Sequence, residues 1–67
     1  MRVFGERLRE LRLEKGLSQK ELATAFNVKQ PTVADWERGV METDFETLVK
    51  IAGFFDVRSD YLLGLED

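Results

Sequence analysis

The chain has 67 residues, enough for one small domain that removes only about 60% of its unfolded surface from water. It has no cysteine, no histidine and a formal net charge of −3, which excludes disulfides, thiolate metal sites and histidine-based catalysis. No stretch approaches the roughly 18 apolar residues of a membrane span, and "MRVFGERLRE" is too charged for a signal peptide, so we expect a cytoplasmic protein without metal, cofactor or membrane contact.

A glycine turn joins the first two predicted helices. The first spans about residues 3–15, because four residues recur at the spacing of one helical face: Phe4, Leu8, Leu11 and Lys15. Gly16 supplies the left-handed residue that ends it. Ser18 is the expected N-cap of the second helix, since Glu21 completes a capping box, and Asn27 tolerates the positive φ that ends this helix.

A proline marks the start of the third helix. Proline pushes the preceding residue away from the α region, so we expect Gln30 at the N-cap and Pro31 at the first helical position. The Gln30 side chain then projects from the helix tip. Val33 and Trp36 are expected to face inward, and Gly39 closes the helix.

Two further helices complete an all-α, compact five-helix domain. The fourth begins at Thr43 or Asp44, because "TDFE" fits a capping box and "DFET" a weaker one. Its expected apolar face consists of Phe45, Leu48, Ile51, Ala52 and Phe55. A short fifth helix follows from Ser59 or Asp60 to Gly64.

The charge is distributed unevenly along the chain. Residues 1–38 carry eight basic and six acidic side chains, whereas residues 39–67 carry two basic and seven acidic ones. A polyanion is therefore expected to dock on the first half, and the acidic second half is a candidate surface for a protein partner.

The stretches "RLRELRLEKGLSQKELA", "WERG" and "VRSDYLLG" resemble the phage lambda repressor and Cro-like helix-turn-helix family, also called the XRE family. The resemblance covers nearly the whole chain. It implies one DNA-binding domain over residues 1–67, with the helix-turn-helix unit at about 18–38. It also implies a transcriptional regulator, most simply a repressor of phage or mobile-element type, that occupies a pseudo-palindromic operator as a homodimer.

In such a unit the first helix braces against the phosphate backbone while the second lies in the major groove of double-stranded DNA. Because Val33 and Trp36 are committed to the core, base contacts are expected from Gln30, Pro31, Thr32 and Asp35. Gln suits adenine, Thr can offer its hydroxyl or touch a thymine methyl, and Asp suits cytosine N4, so Asp35 would act as a sequence filter. Phosphate contacts are expected from Ser18, Gln19, Lys20, Lys29 and Arg38.

Three positions depart from the family pattern. Loop 40–43, "VMET", lacks the usual basic residue and contains Glu42, Lys29 replaces a Ser or Thr cap, and Asp35 replaces a neutral or basic side chain. These changes reduce the number of phosphate contacts and predict a shallow salt dependence.

The resemblance implies two structural features besides the DNA contacts. Arg12 and Glu37 are expected to form a partly buried ion pair between the first and third helices. Apolar residues crowd the C-terminal third, and core packing is expected to account for Phe55, Leu62 and Leu63. A homodimer interface is then expected at Phe54, Tyr61 and Leu65, and a crowded core with Phe54 and Tyr61 half exposed is the alternative.

Two other function classes are alternatives to DNA binding. An enzyme is disfavoured, because the acidic residues lie at caps or on helix surfaces and no nucleophile and base can be paired. The alternative function is a protein-interaction module on the same fold, antitoxin-like, that binds a protein through the acidic half with weak or no DNA binding.

Overall fold

The computed structural model describes residues 2–65, which form five α-helices and no strand within that range. The helices are α1 (Arg2–Glu14), α2 (Gln19–Ala25), α3 (Gln30–Arg38), α4 (Phe45–Phe55) and α5 (Ser59–Leu63). The predicted all-α, five-helix architecture is confirmed. None of the helices in the described range is long and apolar enough to cross a bilayer.

The ends of α1 and α2 form as their residue types predict. Gly16 after α1 and Asn27 after α2 adopt left-handed backbone, with φ of 69° and 56°. Ser18 caps α2: its Oγ accepts from the Glu21 N–H at 3.0 Å, and Glu21 Oε1 accepts from the Ser18 N–H at 2.9 Å. This capping box satisfies two backbone donors that a helix start leaves unpaired.

The start of α3 differs from the prediction by one residue. Lys29, with φ −86° and ψ 152°, is the N-cap, Gln30 is already helical and Pro31 is the second helical residue. The first four N–H groups of any helix lack an intrahelical partner, so proline at the second position removes no hydrogen bond. The bias of a pre-proline residue is a preference that the first turn overrides here.

Asp44, rather than Thr43, caps α4, because its carboxylate accepts from the Thr47 N–H at 2.8 Å. The weaker of the two cap patterns is therefore the one that forms. Asp56 ends α4 with a left-handed φ of 55°. Helix α5 starts at Ser59, one of the two predicted positions, and ends at Gly64.

The core is built on the inner face of α1, which packs against α3 on one side and α5 on the other. Gly5 permits the first of these contacts, because a Cβ at this position would lie 2.6 Å from the carbonyl oxygen of Glu37 and closer still to that of Trp36. The buried apolar residues are Phe4, Leu8, Leu11, Leu22, Ala23, Val33, Trp36, Leu48, Ile51, Ala52, Phe55 and Leu62.

Two residues expected in the core are exposed instead. Phe45 is 86% exposed and Leu63 is 39% exposed. Phe45 follows the cap Asp44 directly, and Cα–Cβ bonds tilt toward the helix N-terminus, so its side chain projects past the packed part of α4. The periodicity of the α4 apolar face therefore extends one residue further than the core does.

Candidate nucleic-acid interface

The first turns of α2 and α3 lie side by side and enclose a surface groove of about 800 Å³. Two short helices with a brief connection produce this arrangement, and α2 and α3 pack closely against each other. The groove brings together most of the predicted DNA-contacting residues, and among those that line it are Ser18, Gln19, Lys20, Lys29 and Gln30.

The side-chain amide of Gln30 is hydrogen-bonded to α2. Its Nε2 donates to Gln19 Oε1 at 2.6 Å, and Gln19 Nε2 in turn donates to Glu37 Oε1 at 3.0 Å. Both contacts join residues distant in sequence, and no local pattern predicts them. They fix the direction in which Gln30 leaves the helix tip, and Gln30 itself remains exposed.

The Arg12 and Glu37 side chains form a bidentate ion pair between α1 and α3. Arg12 Nε donates to Glu37 Oε2 at 2.6 Å and Nη2 donates to Oε1 at 3.0 Å, while Nη1 donates to the Leu17 carbonyl at 2.8 Å. Both residues are over 90% buried. The hydrogen bonds that Arg12 donates to Glu37 raise the pKa of Arg12 above its ordinary value, although burial acts in the opposite direction.

Asp35 and Arg38 form a second ion pair on the outer face of α3, three residues apart. The Asp35 side chain is 28% exposed and that of Arg38 is 67% exposed. In this arrangement the carboxylate is neutralised from within its own helix, and the guanidinium already has an acidic partner. The sequence pattern assigned these residues two separate roles and did not predict their contact.

The remaining predicted DNA-contacting residues differ in exposure. Lys20, Lys29 and Pro31 are exposed and Thr32 is half-buried. The Ser18 hydroxyl accepts from the Glu21 N–H in the capping box, so Ser18 already has a structural role.

The residues predicted for a dimer interface do not all present a free apolar surface. The Phe54 ring packs edge-on against Phe26 and Phe55, with centroids 5.3 and 4.9 Å apart, and is 40% exposed. Tyr61 is half-buried beneath the Arg7 guanidinium, 4.4 Å from the ring centroid. Leu65 is 73% exposed. Phe54 and Tyr61 are therefore both partly exposed, as in the alternative of a crowded core.

Comparisons with known proteins match this geometry. A helix-turn-helix family model matches residues 8–62. The chain is 36% identical over 64 residues to the transcriptional regulator ImmR of Bacillus subtilis, covering 96% of this chain and 50% of ImmR. It is 34% identical over 55 residues to the cryptic phage CTXphi transcriptional repressor RstR of Vibrio cholerae, covering 82% of this chain and 50% of RstR.

A solved structure shows the same fold. The restriction-modification controller protein C.AhdI of Aeromonas hydrophila superposes with a TM-score of 0.78 at 38% identity, covering 90% of this chain and 91% of that one. The chain spans about half the length of the two regulators above. By its family match, its relatives and its fold, the chain belongs to the lambda repressor and Cro-like helix-turn-helix family of transcriptional regulators.

Proposed function

We propose that this chain is the DNA-binding domain of a transcriptional repressor that reads an operator with α3 in the major groove. One observation carries the proposal: Gln30, at the exposed tip of α3, is oriented through Gln19 by the buried Glu37 and Arg12 pair. A reading side chain held this way keeps its direction without DNA, which reduces the ordering entropy lost on binding.

The Gln30 amide retains the atoms that adenine needs. Its Nε2 carries two hydrogens, of which one goes to Gln19, and its Oε1 stays available as an acceptor. The second hydrogen suits adenine N7 while Oε1 suits the adenine N6 amine, a pairing worth about 1–3 kcal/mol of discrimination. Thr32 and Pro31 would then contact neighbouring bases through apolar atoms.

Asp35 would accept from a cytosine N4 amine. Its pairing with Arg38 lowers the electrostatic cost of holding a carboxylate near phosphates. Phosphate contacts would come from Gln19, Lys20 and Lys29, with Ser18 at the start of α2, while Arg38, predicted from the sequence as a further phosphate contact, would stay paired with Asp35. Repression would follow from occupying a promoter as a homodimer, with half-site centres about 34 Å apart, one helical turn.

Selection of bound duplexes from a random DNA pool at about 50 mM salt tests the proposal, because weak phosphate contacts still register at this concentration. We expect a two-fold symmetric motif with an adenine in each half-site. Gln30→Ala should select the same motif without the adenine preference, whereas Glu10→Gln, a control on exposed α1 surface, should select the wild-type motif. Absence of any motif with folded protein would overturn the proposal and favour the protein-interaction module.

A further inference from the structure

Helix α4 presents an apolar stripe that nothing in the described part of the chain covers. Phe45 is 86% exposed and Val49, one turn later, is 63% exposed. Gly53, another turn on, has no atom within 4 Å of where a Cβ would stand, so the stripe continues as a smooth surface. Residues four apart lie on the same side of a helix, and contiguous exposed apolar surface of this kind marks an association site.

Two opposite charges flank this stripe on the same side of α4. Glu46 and Lys50 each follow a stripe residue by one position, and their side chains are 82% and 65% exposed. Within the chain Lys50 Nζ lies 3.2 Å from Glu46 Oε1. The order along the helix is therefore acidic toward the N-terminus and basic toward the C-terminus, one turn apart.

We propose that a second copy of this chain docks on the stripe, with α4 antiparallel to α4 of the other copy about a two-fold axis level with Thr47 and Leu48. This arrangement places Phe45 opposite Val49 of the second copy, and Val49 opposite Phe45 of the second copy. It rests on the proposed function, which requires a dimer, and it places the interface on different residues from Phe54, Tyr61 and Leu65.

The flanking charges are complementary to those of a second copy of the chain. In an antiparallel pair with a two-fold axis, each flank faces the same flank of the other helix, read in reverse. Glu46 then meets Lys50 of the second copy, and Lys50 meets its Glu46, so both pairs are attractive. A uniformly basic partner helix would be repelled by Lys50, and a uniformly acidic one would be repelled by Glu46 and the nearby Asp44.

The apolar surface also extends beyond the stripe. Phe45 lines a groove of about 550 Å³ whose other apolar walls are Leu48 and Leu63. A second copy approaching along α4 covers this groove at the same time. The exposure of Phe45 and Leu63, which the apolar periodicity of the chain does not explain, is then accounted for by one contact.

Charge exchange tests the proposal directly. Each of the single variants Glu46→Lys and Lys50→Glu places like charges across the axis, and each should weaken self-association at least about five-fold, measured by sedimentation equilibrium. The double variant Glu46→Lys with Lys50→Glu restores opposite charges and should dimerise within about two-fold of wild type. A mixture of the two single variants should form heterodimers in preference to either homodimer.

Two further variants distinguish this interface from other surfaces. Phe45→Ser should weaken the dimer about ten-fold or more, whereas Leu65→Ser, at a similarly exposed apolar position, should leave it unchanged. Circular dichroism checks that each variant stays folded. A dimer that responds to Leu65→Ser and not to Phe45→Ser, an absence of heterodimer on mixing, or a monomeric wild type would overturn the proposal.

Failure of this interface and failure of the proposed function give different results. Each copy reads its own half-site, so a wrong interface leaves the enriched adenine-containing motif intact. If the protein reads no DNA, the motif is absent whatever the charge variants do.

Discussion

Glu37 connects the stability of the domain to its candidate reading surface. Its Oε2 accepts from Arg12 in the core, and its Oε1 accepts from both Arg12 and Gln19. Gln19 then orients Gln30 at the surface. A substitution at Glu37 therefore leaves a buried guanidinium without its carboxylate and at the same time releases the amide that directs Gln30.

We expect Glu37→Ala to lower the free energy of unfolding by about 3–5 kcal/mol, because the unpaired Arg12 charge stays buried. The double variant Arg12→Met with Glu37→Leu should lose clearly less, since both charges are removed and side-chain volume is kept. Urea denaturation followed by circular dichroism measures both. Equal losses in the single and double variants would show that the pair stabilises by something other than mutual charge compensation.

Helix ends were predicted well wherever one residue type determines the backbone. Gly16 and Asn27 take the positive φ expected of them, and Ser18 caps α2 as its spacing from Glu21 requires. These are local effects, which a sequence pattern contains in full. At α3 the pre-proline preference competes with the free N–H groups of a first turn, and the predicted boundary was wrong by one residue.

The errors on α4 and the unpredicted contacts of the candidate site have a different cause. Phe45 continues the apolar periodicity of α4, yet the core ends before it reaches this side chain. The bond from Gln30 to Gln19 and the Asp35 and Arg38 pair depend on how α2 and α3 cross and on side-chain rotamers. Residue types indicate which groups are available near the groove, but only the packed structure determines which of them meet.

The close crossing of α1 and α3 gives a prediction at the scale of helix packing. A methyl group added in Gly5→Ala meets backbone carbonyls that cannot rotate away, so the helices must separate, which costs about 1–3 kcal/mol or more. The gain in helix propensity is only about 1 kcal/mol. We therefore expect net destabilisation by about 2 kcal/mol in thermal or urea unfolding.

Gly53→Ala is the matched control, because it makes the same change in a helix where the Cβ meets nothing. It should stabilise the monomer by about 0.5–1 kcal/mol. A Gly5→Ala variant as stable as wild type would mean that α1 and α3 can move apart without cost.

The two carboxylate caps predict how stability depends on pH. Hydrogen bonds with Ser18 lower the pKa of Glu21 below 4.5, and those with Thr47 lower the pKa of Asp44 below 3.8. A pKa depressed by folding contributes stability above the unfolded value, and this contribution is lost as pH falls through the folded value. The urea midpoint of the wild type should therefore fall between about pH 5 and pH 3.

The double variant Glu21→Gln with Asp44→Asn keeps acceptor oxygens but does not ionise at these positions. Its urea midpoint should fall less over the same pH range, so the difference between the two midpoints should be largest near pH 5 and shrink as the pH falls through the folded-state pKa values. Parallel curves for variant and wild type would assign the acid sensitivity to other carboxylates.

Over the whole molecule, basic and acidic residues are concentrated in different parts of the chain. The basic excess belongs to residues 1–38, which contain α2 and α3, and the acidic excess to residues 39–67, which contain α4 and α5. A polyanion is attracted to one part of the surface and repelled by the other, which orients the domain before contact. Among the predicted phosphate contacts only Lys20, Lys29 and Arg38 are cationic, so salt should weaken binding only moderately.

The salt dependence of DNA binding shows whether Arg38 remains paired with Asp35 in the complex. If only Lys20 and Lys29 neutralise phosphates, a dimer makes four such contacts and the logarithm of affinity should fall with that of salt concentration with a slope of about −4. We expect this value for the wild type, because the Arg38 charge is already compensated within α3. Asp35→Asn releases Arg38 in both copies and should steepen the slope by about 2, to between about −5 and −6, with tighter binding to unrelated DNA.

Adding Arg38→Ala to Asp35→Asn should return the slope to about −4, which identifies Arg38 as the released cation. Fluorescence anisotropy titrations between about 50 and 200 mM salt resolve a difference of about two units in slope. If Arg38→Ala alone flattens the wild-type slope, Arg38 leaves Asp35 for a phosphate on binding, and the bare carboxylate then faces the bases alone. In that case Asp35 should reject any base without an N4 amine more strongly than a neutralised carboxylate would.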